Sequence, residues 1–160
     1  MKVKSALIAG SFDPFTRGHE CLVEEALKLF DKVYIAIGHN VAKRGLLSVE
    51  NRKRLIEELY SDDNRVEVYV YDTLTTELAE KLGVTALVRG VRNSADFEFE
   101  RTLASINRRL MPSLHTVVLF TPAEVQDISS STIRELIHFG HEVDEFMPHG
   151  VNIKEYLQRD

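Results

Sequence analysis

Ala6-Leu7-Ile8-Ala9-Gly10-Ser11-Phe12-Asp13-Pro14-Phe15-Thr16-Arg17-Gly18-His19 is the stretch whose reading decides the fold. Four aliphatic residues in a row run straight into a glycine and an Asp-Pro pair. A continuous apolar run of this kind suits a strand covered on both faces. Gly10 then allows the backbone to turn and approach a ligand closely. Beyond Gly18, the residues Leu22, Val23, Ala26, Leu27 and Phe30 follow i, i+1, i+4, i+5, i+8, which gathers them on one side of a helix. The stretch therefore reads as strand, turn and helix.

The same unit recurs along the chain. Apolar runs at Val33 to Ile37, Val66 to Tyr71, Ala86 to Val88 and Thr116 to Phe120 are predicted strands, again covered on both faces. Helical periodicity joins Leu55, Ile56 and Leu59, then Leu74, Leu78 and Leu82, then Phe99, Leu103, Ile106 and Leu110. Ile133, Leu136 and Ile137 stop near Gly140, a candidate C-cap, and Ile153, Tyr156 and Leu157 suggest a small terminal helix. Strands alternating with helices imply right-handed βαβ units. The expected fold is α/β: a Rossmann-like, doubly wound, five-stranded parallel sheet with helices on both faces, in a single domain over residues 1–160.

Composition narrows the function. The 160 residues are 44% hydrophobic and 28% charged, with formal net charge −5, an ordinary globular balance without the basic excess that nucleic-acid binding requires. Cys21 is the one cysteine, so no internal disulfide can form, and within its apolar pattern it reads as a small buried hydrophobe. No apolar run is long enough to span a bilayer. The cytoplasm is the expected compartment, with neither nucleic acid nor membrane as partner.

In doubly wound sheets ligands bind beyond the carboxyl ends of the strands, so the residues after each run carry the functional signal. After the first come Gly10, Ser11, Phe12 and then Thr16 to His19, with His19 in the first turn of a helix whose free N–H groups and dipole suit phosphate. After the second come His39, Lys43 and Arg44. Lys43 suits a phosphate or a solvated loop equally, and His39 reads as an ordinary loop residue. After the fourth, Arg89 and Arg92 flank Gly90 and Val91, and guanidinium forks match phosphate oxygens. Asp96, Glu98 and Glu100 follow, and acids of this kind also stabilise a helix start. After the fifth, Ile128 leads into Ser129, Ser130, Ser131 and Thr132, which serve either to cap a helix or to cradle phosphate.

Taken together, Gly-x-Phe-Asp-Pro, Thr-x-Gly-His and Ile-Ser-Ser-Ser resemble the nucleotidyltransferase superfamily related to class I tRNA synthetases. Arg89 to Arg92, Asp96 to Glu100 and Asn107 to Pro112 resemble its phosphopantetheine adenylyltransferase branch. The resemblance implies adenylyl transfer from ATP to 4'-phosphopantetheine, giving dephospho-coenzyme A and pyrophosphate, with Mg²⁺ on the triphosphate and no dedicated metal ligands. It implies His19, Lys43 and Arg92 as catalytic residues. Ser11, Lys43, Leu74, Thr75 and Arg89 would bind the acceptor. Ser11, Phe12, His19, Gly90, Val91, Arg92, Glu100, Val125, Gln126, Asp127, Ile128, Ser129, Ser130 and Ser131 would bind ATP. A homohexamer and feedback binding of coenzyme A are implied in the same way. Ser11 stands where the family commonly has threonine, keeping the hydroxyl, and Ala9 stands where proline is common. The alternatives are a nicotinate or nicotinamide mononucleotide adenylyltransferase, or a non-catalytic nucleotide sensor on the same fold.

Overall fold

A computed structural model describes residues 4–40, 42 and 44–157. Strands β1 (Ser5–Gly10), β2 (Lys32–Gly38), β3 (Val66–Tyr71), β4 (Ala86–Val91) and β5 (His115–Phe120) alternate with helices α1 (Arg17–Leu29), α2 (Val49–Leu59), α3 (Thr75–Leu82), α4 (Ser94–Leu110) and α5 (Ser130–His138). The strands form one parallel sheet in the order β3-β2-β1-β4-β5. The chain winds from β1 outward to β3, then crosses back to β4 on the other side of β1. Direction reverses between β1 and β4, and a crevice opens at their carboxyl ends.

Alternation along β1 explains why both faces of the sheet are covered. Ala6 and Ile8 join Val23 and Ala26 of α1, Leu55 and Ile56 of α2 and Ile133 of α5 in the larger core. Leu7 and Ala9 face the other way, into a smaller core with Leu78 and Ala79 of α3 and Leu114. Helix ends follow the local chemistry. Thr16, Ser48, Asn93 and Ser129 cap the starts of α1, α2, α4 and α5 through their side chains. Gly83, at φ 67°, ends α3, and Gly140, at φ 77°, follows the end of α5. Among the described residues no helix is long and apolar enough to cross a membrane.

Two expectations need correction, on the edge strands and the terminal helix, and one helix face is left uncovered. The strands at the two ends of the order are edges and are only partly covered, unlike β1 and β4: Val118 and Phe120 of β5 stay 37% and 87% exposed. The apolar stripe of α4 does not enter a core of this chain, since Phe99, Ile106 and Leu110 are about half exposed and Glu100 is the buried residue of that helix. The terminal helix is a single 3₁₀ turn, Ile153–Glu155.

The loop between β1 and α1 is fastened to the segment entering α2. Asp13, buried, accepts the N–H groups of Leu46 at 2.9 Å and Leu47 at 2.8 Å. The carboxylate lies so close to Gly45 that a Cβ there would sit 2.6 Å from Asp13 Oδ2. Gly45→Ala is therefore expected to cost about 1–3 kcal/mol by overpacking. Asp13→Ala in the same chain should recover part of that loss, because the clash partner is gone. Thermal unfolding of the two single variants and the double variant checks this; strict additivity would contradict it.

Candidate active site

The crevice between β1 and β4 holds a cavity of about 440 Å³. Its floor is the ends of the two strands, Ile8 to Gly10 and Val88 to Gly90, and its walls come from the starts of α1, α4 and α5. The sequence-predicted residues Ser11, Phe12, His19, Arg89, Gly90, Arg92, Glu100, Val125, Ile128, Ser129 and Ser130 all line it. Others lie off it. Val91 is buried under the strand end, and Gln126 donates from its side chain to Thr121 O at 3.3 Å. Asp127 and Ser131 face solvent. Leu74, 54% exposed, precedes α3, and Thr75 shares a 2.9 Å hydrogen bond with the Tyr71 hydroxyl beyond the end of β3. Lys43 lies outside the described residues.

The start of α1 fixes His19. The Thr16 N–H donates to His19 Nδ1 at 3.0 Å, and Thr16 Oγ1 is 3.1 Å from the same nitrogen. Thr16 Oγ1 in turn accepts the His19 N–H at 3.4 Å. Nδ1 is thus the acceptor, so the neutral ring carries its proton on Nε2. Phe12 meets the imidazole edge-on with centroids 5.0 Å apart, and Phe15 packs on it at 5.3 Å. Burial, followed by the charges of Arg89 and Arg92, brings its pKa down to about 4. The cavity is thereby given a neutral, oriented N–H donor at physiological pH.

Two helix starts converge here. The N–H groups of Gly18 in α1 and of Ser130 and Ser131 in α5 have no acceptor among the described residues, which is the usual provision for an anion. A Cβ on Gly18 would lie 3.8 Å from the carbonyl oxygens of Val125 and Ile128, an ordinary contact distance, so α1 begins close against the 125–128 segment. The serine hydroxyls are already engaged. Ser129 Oγ caps α5 by accepting from Thr132 N at 3.1 Å, and Ser130 Oγ donates to Pro14 O at 2.8 Å. An anion at this end would therefore meet the free backbone N–H groups and the Ser129 hydroxyl, which keeps a proton to donate, while the Ser130 proton is spent on Pro14 O.

The arginines behave differently from one another. Arg89 forms a bidentate pair with buried Glu100, Nε and Nη2 each at 2.8 Å, while its Nη1 donates to Ala9 O at 2.7 Å. The sequence suggested two separate ligand contacts; the structure joins them into one brace between β1, β4 and α4. A phosphate reaching Arg89 would share the guanidinium with Glu100. Arg92 is more open and pairs with Asp96 at 3.0 Å, which holds that carboxyl below the usual range. Sequence reasoning did not single out Thr121, Leu22 or Val88 as lining residues. Thr121 follows β5 directly and was legible by the strand-end rule alone.

Both carboxylates of the cavity, Asp96 and Glu100, are engaged by arginines, and among the described residues no group of three acidic, histidine or cysteine side chains is placed to hold a metal. This donor set fits a divalent cation that arrives on phosphate oxygens and keeps its water.

Comparison with known proteins agrees with the geometry. The family model described as "Cytidylyltransferase-like" matches residues 7–136. A phosphopantetheine adenylyltransferase of Porphyromonas gingivalis is 51% identical over 150 residues, 94% of this chain and 97% of that one. The enzyme of that name from Flavobacterium johnsoniae is 42% identical over 96% of this chain and all of its own. Among solved structures, a bifunctional NMN adenylyltransferase/ADP ribose pyrophosphatase from Francisella tularensis, complexed with AMP and a manganese ion, has TM-score 0.67 at 18% identity. The match covers 95% of this chain and 46% of that protein, and it supports the fold alone.

The tautomer gives a direct expectation. Nitrogen-15 NMR of the free protein at pH 6 should show His19 with Nδ1 bare and Nε2 protonated. Its folded pKa lies below the unfolded 6.5. The unfolded chain therefore takes up this proton first as pH falls, and stability attributable to His19 declines between about pH 6.5 and 4. His19→Gln should flatten that part of the stability profile. A His19 titration midpoint near 6.5 would contradict the assignment.

Proposed function

The chain belongs to the cytidylyltransferase-like family, within its phosphopantetheine adenylyltransferases, and from that premise we propose that it transfers the adenylyl group of ATP to 4'-phosphopantetheine, giving dephospho-coenzyme A and pyrophosphate in coenzyme A biosynthesis. The observation that carries the reading is the β1–β4 cavity, where a neutral His19 Nε2–H and two helix N-termini meet.

The acceptor phosphate attacks the α-phosphorus of ATP in line, and pyrophosphate leaves from the opposite side. Catalysis then consists of positioning and of stabilising charge on the non-bridging oxygens. His19 supplies a hydrogen bond to the α-phosphate that strengthens as charge builds. Its Nδ1 lone pair is occupied by Thr16, so the ring orients and stabilises but does not attack. Arg92 and the starts of α1 and α5 neutralise the phosphate chain. Lys43 and Arg89 meet the acceptor phosphate, with Leu74 and Thr75 along the pantetheine arm. With Asp96 and Glu100 both paired to arginines, the triphosphate itself would hold Mg²⁺, which would supply charge neutralisation when bound. Coenzyme A contains the product's own skeleton and is the expected feedback ligand of this cavity. The cytoplasm is the expected site of the reaction.

The exposed apolar residues Phe99, Ile106 and Leu110 of α4 and Val118 and Phe120 of β5 support association of the chain with copies of itself, and the resemblance to the family makes the expected assembly a homohexamer. Sedimentation should give six times the 18.3 kDa chain mass. Phe120→Asp with Ile106→Asp should shift the protein to smaller species. A monomeric wild-type protein would contradict the assembly.

The activity test is to mix the protein with ATP, Mg²⁺ and either 4'-phosphopantetheine or nicotinamide mononucleotide. Pyrophosphate is expected with the former alone. His19→Ala should lower kcat by about 10²–10³, the cost of one such donor, while ATP affinity changes far less. Turnover with the mononucleotide alone would make the protein the other adenylyltransferase. Tight ATP binding with no pyrophosphate would make it a sensor.

A further inference from the structure

Arg52 has no part in the site as read from sequence, yet it is only 7% exposed and reaches the loop that carries Ser11 and Phe12. It projects from the first turn of α2, and its Nη1 donates to the Ser11 carbonyl at 2.9 Å. Its Nε is buried without a partner, and no ion pair to Arg52 is found among the described residues. A buried guanidinium with so little local compensation is costly to keep for stability alone.

The bond it makes has a geometric consequence. In a trans peptide the C=O and the following N–H point in opposite directions. Holding the Ser11 carbonyl toward α2 therefore turns the Phe12 N–H away from α2. That N–H has no acceptor among the described residues, and Phe12 lines the cavity. Phe12 is also the one described non-glycine residue with positive φ, 48°, a conformation that a side chain disfavours and that persists where the surroundings impose it. Asp13 gives the reciprocal grip, from the loop to Leu46 and Leu47 just before α2.

We propose that Arg52 is a positioning residue, which holds the Ser11–Phe12 peptide so that the Phe12 N–H donates to a phosphate in the cavity. The inference rests on the adenylyl-transfer reading for its kinetic arm alone. Without Arg52 the peptide is free to rotate, and the cavity loses an oriented donor and a nearby positive charge.

Arg52→Met and Arg52→Lys, assayed beside wild type, test the idea together with the Phe12 amide signal in NMR. Methionine removes the donor while keeping an unbranched stem, so the Tm should move by no more than about 5 °C. The kcat of the methionine variant should fall by about ten-fold or more, with KM values for ATP and acceptor within about three-fold; this is a smaller loss than deleting a donor outright. Lysine, which can still donate, should recover most of the rate. In wild type, titration with inorganic pyrophosphate should move the Phe12 amide proton downfield, and that shift should vanish in Arg52→Met. Full activity of Arg52→Met, or equal losses in both variants, would overturn the proposal. So would a wild-type Phe12 amide indifferent to pyrophosphate, an outcome readable even if the methionine variant does not fold. An inactive wild type would count against the adenylyl-transfer reading instead and leave the amide result to judge Arg52.

Discussion

The molecule depends on the capture of one loop's carbonyl groups by side chains from elsewhere. At the end of β1, Ala9 O accepts from Arg89, and in the loop from β1 to α1 Ser11 O accepts from Arg52, Asp13 O from Arg134 and Pro14 O from Ser130. The donors come from β4, α2 and α5, so three separate elements fix the strand end and the turn that follows it. A buried carbonyl left unpaired costs about 1–3 kcal/mol, and each of these bonds is therefore worth more as a constraint than as a source of net stability. The loop keeps its shape because its acceptors are engaged by side chains.

The same arrangement sets the electrostatics. With these carbonyls turned to arginines and a serine, the face left toward the ligand is rich in donors: Phe12 N–H, the His19 Nε2–H and the first N–H groups of α1 and α5. A site organised in this way needs little reorganisation when charge develops on a phosphate. The low pKa of His19 belongs to the same picture, since burial and the neighbouring guanidinium charges disfavour a further positive charge. The ring remains a donor, and the cavity gains no competing nucleophile.

Much of this was legible in the sequence, because strand and helix periodicities report burial directly. The run Ala6 to Ala9 is buried on both faces, as its continuity required, and the strand-end rule gathered Ser11, His19, Arg89 and Ser129 correctly into one place. Periodicity found α4 but not what covers its apolar face. An apolar stripe states that a helix face avoids water, but not whether the cover comes from the same chain; here Phe99, Ile106 and Leu110 are left uncovered by their own. Arg52 was hidden by company. It sits in Asn51-Arg52-Lys53-Arg54, which reads as a solvated charge run, although its spacing of three and four from Leu55 and Ile56 puts it on the inward face. The pairing of Arg89 with Glu100 was beyond reach for another reason. Two residues 11 apart in sequence meet only because α4 folds back along β4, and periodicity carries no such long-range geometry.

With His19 held as a donor and its Nδ1 lone pair engaged by Thr16, transfer at the α-phosphorus is expected to be a single in-line displacement, carried out by positioning and charge, with no covalent adenylyl-protein intermediate. The most direct test is the stereochemistry of transfer from ATP made chiral at the α-phosphorus with sulfur in place of one non-bridging oxygen. One displacement predicts inversion of configuration in the dephospho-coenzyme A formed. Retention would mean two displacements through a protein nucleophile, and it would contradict a His19 that only donates to the phosphate from a loop built to hold it still.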